Sequence, residues 1–229
     1  MQDDTRPAAR EKTLGTRSYK ERSEATRQRI LAAARSQFVA NGLEGTRMEA
    51  IATEAGVNKS LVYRHFGSRE QLYRDVLSKA YRDVREAEAR LVLPTDPLAA
   101  LDTLVSFTLG YYLANPDFLV LVGIENLKKG EHLRQIGRDG VQVSSLIGIL
   151  NRIISSGTRD GLFRDDLDAM ELYMIMASQC WFTVATMHTF GITFDVDMFA
   201  SAGLRRREAI IKDSVRRYVL RDPSAAVLV

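Results

Sequence analysis

Cysteine is nearly missing from the 229 residues. Cys180 stands alone, so no internal disulfide framework can form, and the chain suits a reducing compartment. It sits among apolar neighbours (Ser178-Gln179-Cys180-Trp181-Phe182), where a thiol is an inert core group rather than a nucleophile. Histidine is also scarce. His65, His132 and His188 are scattered and none belongs to an H-x-x-x-H or C-x-x-C pair. Glu125, Glu131 and His132 could meet at a metal, but a metal site is not the expected reading. Asp165, Asp166 and Asp168 lack the glycine and closing glutamate of a calcium loop, so an acidic helix start explains them better. There is no G-x-x-x-x-G-K-[ST] loop and no G-x-G-x-x-G after a strand pattern. An enzyme is therefore not expected, nor a cofactor or a metal. No apolar run approaches bilayer length, and the polar stretch from Met1 to Arg17 lacks the apolar core of a secretory signal. A cytoplasmic protein is expected.

Helical patterning is what remains. Hydrophobic residues make up 45%, enough to bury a core, and no convincing strand pair or internal repeat interrupts the 3.6-residue period. The net charge is only +3, with a pI near 9.0, but cations cluster in the first third (Arg27, Arg29, Arg35, Arg47, Lys59, Arg64, Arg69, Arg74) and near the end (Arg205, Arg206, Arg207, Lys212, Arg216, Arg217).

The stretch Gly45 to Phe66, GTRMEAIATEAGVNKSLVYRHF, reads as two short helices joined by a tight turn. Thr46 and Glu49 fit a T-x-x-E capping box. Met48, Ile51, Ala52 and Ala55 recur at helical spacing, Gly56 supplies a left-handed stop, and Asn58 can cap the second helix. Val57 and Val62 occupy hydrophobic-staple positions. Burying Val57, Val62 and Phe66 leaves Asn58, Lys59, Ser60, Leu61, Tyr63, Arg64 and His65 to one side or the rim. That set of cation, amide, hydroxyl and rings suits a DNA major groove; the competing reading is a hairpin whose polar face is merely wet. Lys59 can donate to guanine O6 or N7, Asn58 can pair with adenine, Leu61 can touch a thymine methyl, and Arg64 can serve base or phosphate.

Around the hairpin the chain divides into four. Residues 1–22 are charged and poor in aliphatics, and read as a disordered arm: a solvated tail, or one that reaches phosphate or a minor groove. Residues 23–67 hold three helices, the first from Ser23 to Asn41 with Gly42 as its stop. Residues 68–92 form a connecting helix opened by Ser68. Leu93-Pro94-Thr95-Asp96-Pro97 is the boundary, and residues 93–229 are a larger helical domain. Within it Asp168 caps a helix running to about Thr189 that is apolar on nearly every side. Such a helix wants cover from its own bundle or from a second copy of the chain. The expected architecture is all-α, with nine or so helices.

GTRMEAIATEAGVNKSLVYRHFGSREQLY resembles the DNA-binding signature of the TetR family of bacterial transcription regulators. The matching order is a Gly-Thr start, Ile51-Ala52, the Ala55-Gly56-Val57 turn, Tyr63 with His65-Phe66, then Ser68-Arg69-Glu70 and Leu72-Tyr73. It covers about the first 80 to 90 residues; the remainder is similar to the family only in length, helicity and layout. The resemblance implies an N-terminal three-helix helix-turn-helix domain and a larger helical domain for ligand binding and dimerisation. It implies a homodimer on a palindromic DNA operator, most often as a repressor released by a small-molecule effector; an activator or a ligand-independent regulator stays open, as does a helical scaffold without DNA binding. It places Thr46, Arg47, Tyr63, His65 and Arg69 on phosphates. For the second domain it implies a small-molecule cavity, for which Tyr111, Tyr112, Phe118, Trp181, Phe182, Met187, His188 and Phe190 can be walls and Glu125, Asn126 and His132 polar contacts; plain core is the competing reading of each ring.

Overall fold

The computed structural model of the chain describes residues 8–141, 144–198 and 200–223. Eleven helices occur among them: α1 (Ala8–Gly45), α2 (Met48–Glu54), α3 (Lys59–Phe66), α4 (Arg69–Ala89), α5 (Pro97–Ala114), α6 (Pro116–Leu127), α7 (Glu131–Val141), α8 (Ser144–Arg159), α9 (Ala169–Ala185), α10 (Met187–Phe194) and α11 (Ser201–Val219). Among the described residues the one extended pairing is an isolated antiparallel bridge between Phe163 and Leu220. The all-α expectation holds. No single helix among the described residues is long and apolar enough to cross a membrane.

The chain divides into two compact units after Leu77, inside α4. In the first unit α1 packs on α2 and α2 on α3. Ile30, Ala34 and Phe38 form the buried stripe of α1 and are fully enclosed, with Phe38 edge-on to Tyr73 of α4 at 5.1 Å. α1 is longer than its apolar stripe: it begins at Ala8, where charge composition alone predicts an arm, while residues 1–7 of that arm lie outside the described residues. At the other end Gly42, at φ 67°, leaves helical geometry where its lack of a Cβ makes that backbone accessible.

In the second unit α5 and α9 pack against each other and against α8 and α11, and α6 packs on α5, α7 and α9. The caps are local and legible. Asp96 accepts from the Ala99 amide at 2.7 Å with Pro97 in the first turn, and Asp168 accepts from the amides of Met170 and Glu171 at 2.8 and 2.9 Å. Ser106 donates to Glu208, and Arg216 is paired with Asp102, so polar ties join α5 to α11 beside the apolar core. Two expectations change. The apolar helix after Asp168 does not run to Thr189 but stops at Ala185, where Thr186 (φ −107°, ψ 1°) starts a separate helix, α10. The Thr186 hydroxyl donates to the Phe182 carbonyl at 2.5 Å, a local bond that competes with the helix ladder. The last helix, for which Leu204, Ile211, Val215 and Tyr218 on one side and cations on the other predict a span from about Val196 to Leu220, starts at Ser201.

Candidate nucleic-acid interface and effector cavity

Gly56, at φ 65°, makes the turn between α2 and α3. The Asn58 side chain then caps α3 by accepting from the Leu61 amide at 2.8 Å; the same oxygen accepts from the Ser60 hydroxyl at 2.7 Å. Val62 and Phe66 go inward, with Val57 half-buried, and the opposite side carries exposed Lys59, Ser60, Tyr63 and Arg64 with half-buried Leu61 and His65. Arg27 of α1 fixes this helix from behind. Its guanidinium lies 5.0 Å from the Phe66 ring centroid and donates to Asp75 of α4 at 2.6 Å, linking three helices through one side chain. An open groove of about 250 Å³ runs between Tyr19, Arg22, Ser23 and Thr26 of α1 and Leu61, Arg64 and His65 of α3.

Three of the residues expected to touch DNA are used differently. Thr46 is not the cap of α2. Arg47 is the residue at that position, without a side-chain bond, and Thr46 is 1% exposed with its hydroxyl donating to the carbonyls of Gly42 and Gln37 at 2.6 and 3.0 Å. The turn at Gly42 brings those carbonyls closer than the amides ahead, so Thr46 holds the α1–α2 loop and offers no hydroxyl to phosphate. Asn58 has its carbonyl oxygen committed to the cap, which removes the acceptor half of a two-point contact with adenine. Half-buried Arg69 donates to the carbonyls of Glu44 and Thr46 at 3.4 and 3.3 Å and pairs with Glu70, so it braces the same loop. Arg47 stays exposed. Asn58→Ala should cost about 0.5–2 kcal/mol of stability by removing the cap, while Asn58→Ser, which keeps an acceptor, should cost little. Chemical denaturation of the two variants measures this, and equal losses would contradict the capping role.

In the second unit, Tyr111, Tyr112 and Phe118 meet in one place. They line a small enclosed space with Phe107, Thr108 and Tyr173 and with Val84, Arg85 and Glu88 of α4. The free volume is about 10 Å³, room for about one water molecule. Tyr112 stacks on Phe118 at 6.1 Å, and half-buried Trp181 stands edge-on to Tyr112 at 6.3 Å. The polar wall is a buried ion pair: Arg85 Nη1 donates to both Glu88 carboxylate oxygens at 2.6 Å, and Arg85 Nε has no hydrogen-bond partner. Burial raises the pKa of Glu88 more than the guanidinium lowers it, and burial also raises that of Tyr112. The sequence reading missed Arg85 and Glu88. The available signal was Glu88 falling four residues after Val84 on the buried side of α4, a charge where the period calls for an apolar residue.

The other expected polar contacts are not at this space. Glu125 is 1% exposed, but its carboxylate accepts from the amides of His132 and Leu133 at 2.6 and 3.0 Å, capping the start of α7, with the His132 ring at 3.2 Å. Asn126 and His188 are exposed, and Met187 is buried in the core. Phe182 is 49% exposed and meets Phe190 edge-on. Among the described residues no group of three or more His, Cys, Asp or Glu side chains is placed to hold a metal ion. Burial pushes the Cys180 thiol up to about 12.

Residues 30–76 match the family model for bacterial regulatory proteins of the tetR family, and residues 97–215 match that for the tetracyclin repressor-like C-terminal domain. The chain is 37% identical over 179 residues to the HTH-type transcriptional repressor NicS of Pseudomonas putida, spanning 78% of this chain and 84% of that protein. The chain belongs to the TetR family. It is 34% identical over 107 residues to the HTH-type transcriptional repressor SCO4008 of Streptomyces coelicolor, spanning 47% of this chain and 53% of that one. Among solved structures, a TetR transcriptional regulator from Chloroflexus aurantiacus superposes with a TM-score of 0.68 at 20% identity, over 87% of this chain and 98% of that chain. The transcriptional regulator SCO4942 of Streptomyces coelicolor superposes with a TM-score of 0.66 at 23% identity, over 86% and 99%. These likenesses show the fold. This TetR-family chain is a DNA-binding transcriptional regulator and not an enzyme.

Proposed function

We propose that the chain is a repressor that binds a palindromic operator as a homodimer and releases it when a small molecule enters the second unit. The observation that carries the reading is the outward face of α3: Lys59, Ser60, Tyr63 and Arg64 exposed on a helix whose other side is locked into the core by Val62 and Phe66. In this reading Lys59, Ser60, Leu61 and Arg64 reach base edges, while Arg47, Tyr63 and His65 take phosphate; Arg69 and Asn58 act by holding the helix and its loop. The naming of two relatives as repressors supports repression over activation. Work on chromosomal DNA would place the protein in the cytoplasm.

Dimerisation is supported by apolar side chains that α9 and α11 leave outside. Met170, Met174 and Phe182 are 45%, 56% and 49% exposed on one row of α9, and Ile210 of α11 is 46% exposed. The row is broken only by the small exposed Ser178; apolar side chains so placed want a partner surface, and a second copy supplies the twofold symmetry of a palindrome.

Effector control is supported by the aromatic space with its buried ion pair. Arg85 and Glu88 lie on α4, the helix whose first turns belong to the DNA-binding unit, so a ligand that repositions them acts on that helix directly. The coupling expected of such linkage is about 1–3 kcal/mol, and DNA must weaken ligand binding by the same factor. The test has two stages. The wild-type chain selects duplexes from a random pool, and a small-molecule library is then screened for release of the selected duplex. Replacing the pair by apolar groups of similar volume, Arg85→Met with Glu88→Leu, should leave stability unchanged or raise it by about 1–4 kcal/mol while the complex no longer responds to the releasing compound. A double variant that releases DNA at wild-type ligand concentrations would remove the pair from the effector site.

A further inference from the structure

The face of α3 carries an acid pressed against its leading cation. Glu49 lies on α2 with its side chain 61% exposed, and its Oε1 is 2.5 Å from Nζ of Lys59, the first residue of α3. The same ammonium is 5.6 Å from the Tyr63 ring centroid. Lys59 is thus held between a carboxylate of one hairpin helix and a ring of the other, each helix being fixed by buried residues (Ile51 and Ala52; Val62 and Phe66). Each partner stabilises the charged form of the other: Lys59 lowers the Glu49 pKa, and Glu49 raises that of Lys59.

A carboxylate is the wrong charge for a surface whose only task is to meet phosphates. It repels the backbone, and among base edges it accepts only from amino groups such as cytosine N4. What it can do at 2.5 Å is restrain an otherwise flexible four-carbon side chain. To reach a phosphate on non-cognate DNA, Lys59 must leave Glu49 exposed and unpaired beside the phosphate row. Contact with a guanine edge ahead of the helix start, made with the pair intact, is what the proposal below assigns to it.

We propose that Glu49 is a specificity-determining residue, which holds Lys59 toward the bases and withholds that cation from the backbone of non-cognate DNA. The proposal rests on the reading that α3 faces the major groove. It differs from that reading in assigning discrimination to an acidic residue of α2 that touches no phosphate.

The test is equilibrium binding of the full chain to its selected duplex and to a scrambled duplex of equal length, over a range of potassium chloride. Glu49→Gln should raise affinity for the scrambled duplex several-fold and change affinity for the selected one much less, so their ratio falls. On the scrambled duplex the slope of log K against log salt should steepen by about 0.9 for each protomer, one freed cation each. In a Lys59→Ala background the same substitution should leave that slope unchanged. Glu49→Asp separates reach from charge: it keeps the negative charge but is one methylene shorter, and its ratio should move toward that of Glu49→Gln. If Glu49→Gln changes both duplexes by the same factor, or Glu49→Asp matches wild type while Glu49→Gln does not, Glu49 acts as a general charge and the proposal fails. A wild-type chain that binds neither duplex defeats the reading of α3 itself, before any variant is made.

Discussion

Placing aspartate at both Met174 and Phe182 is expected to yield a folded monomer whose operator affinity is lower by about 10²–10⁴-fold, the gain that linking two half-site contacts ordinarily provides. Both side chains lie on the exposed row of α9 and are about half exposed. They therefore add little to the core of their own unit, which is built from Leu172, Met176, Cys180 and Val184 on the opposite side of the same helix. Two carboxylates per protomer facing two more across a twofold axis would be desolvated without counter-charges, a cost that can exceed what the apolar row contributes. Thermal stability of the monomer should be close to that of the wild-type protomer, and binding to a single half-site should be unchanged. Light scattering after size exclusion gives the mass. A variant that stays dimeric at micromolar concentration would move the interface elsewhere, with exposed Ile192 and Phe194 of α10 the next surface to examine.

Phe38→Ala is expected to cost the first unit about 3–5 kcal/mol. The ring is fully enclosed and meets Tyr73 edge-on at 5.1 Å, so it fills the space between α1 and α4. Typical domain stabilities are about 5–15 kcal/mol, so the loss is a large fraction of what holds a unit this small together. DNA binding should fail near physiological temperature, while the second unit keeps its fold and its self-association. Calorimetry should then show a low-temperature step that is lost into the baseline and a second step that is unmoved. Phe38→Leu, which keeps most of the volume, should restore most of the binding. Loss of both steps in the alanine variant would mean that the two units unfold as one.

The sequence was most legible where a single residue type has one local use. Gly56 makes the turn because a left-handed backbone there excludes most side chains, and Asn58, Asp96 and Asp168 cap helices because a short acceptor lies in reach of free amides. The face of α3 followed from the inward positions of Val62 and Phe66. Legibility failed where several partners compete. Thr46 and Glu49 match a capping-box spacing, yet the hydroxyl goes to carbonyls delivered by the turn at Gly42, and Glu49 goes to Lys59. Arg69 looked like a phosphate contact and braces a loop twenty-odd residues earlier in the chain, which no local pattern reveals. Glu125 looked like a ligand contact and satisfies the first amides of the next helix. The Arg85–Glu88 pair is not legible because a charged i, i+3 pair on a long helix is usually solvated; its burial depends on rings contributed by α5, α6 and α9.

The most direct measurement is protection of the selected operator from dimethyl sulfate, which methylates guanine N7 in the major groove and adenine N3 in the minor groove. With α3 seated as proposed, the wild-type chain will protect guanine N7 in two symmetric patches in successive major grooves, and Lys59→Ala will unmask the same guanine in each half-site. Tight binding with guanine N7 left open, or protection confined to adenine N3, would contradict the placement of α3.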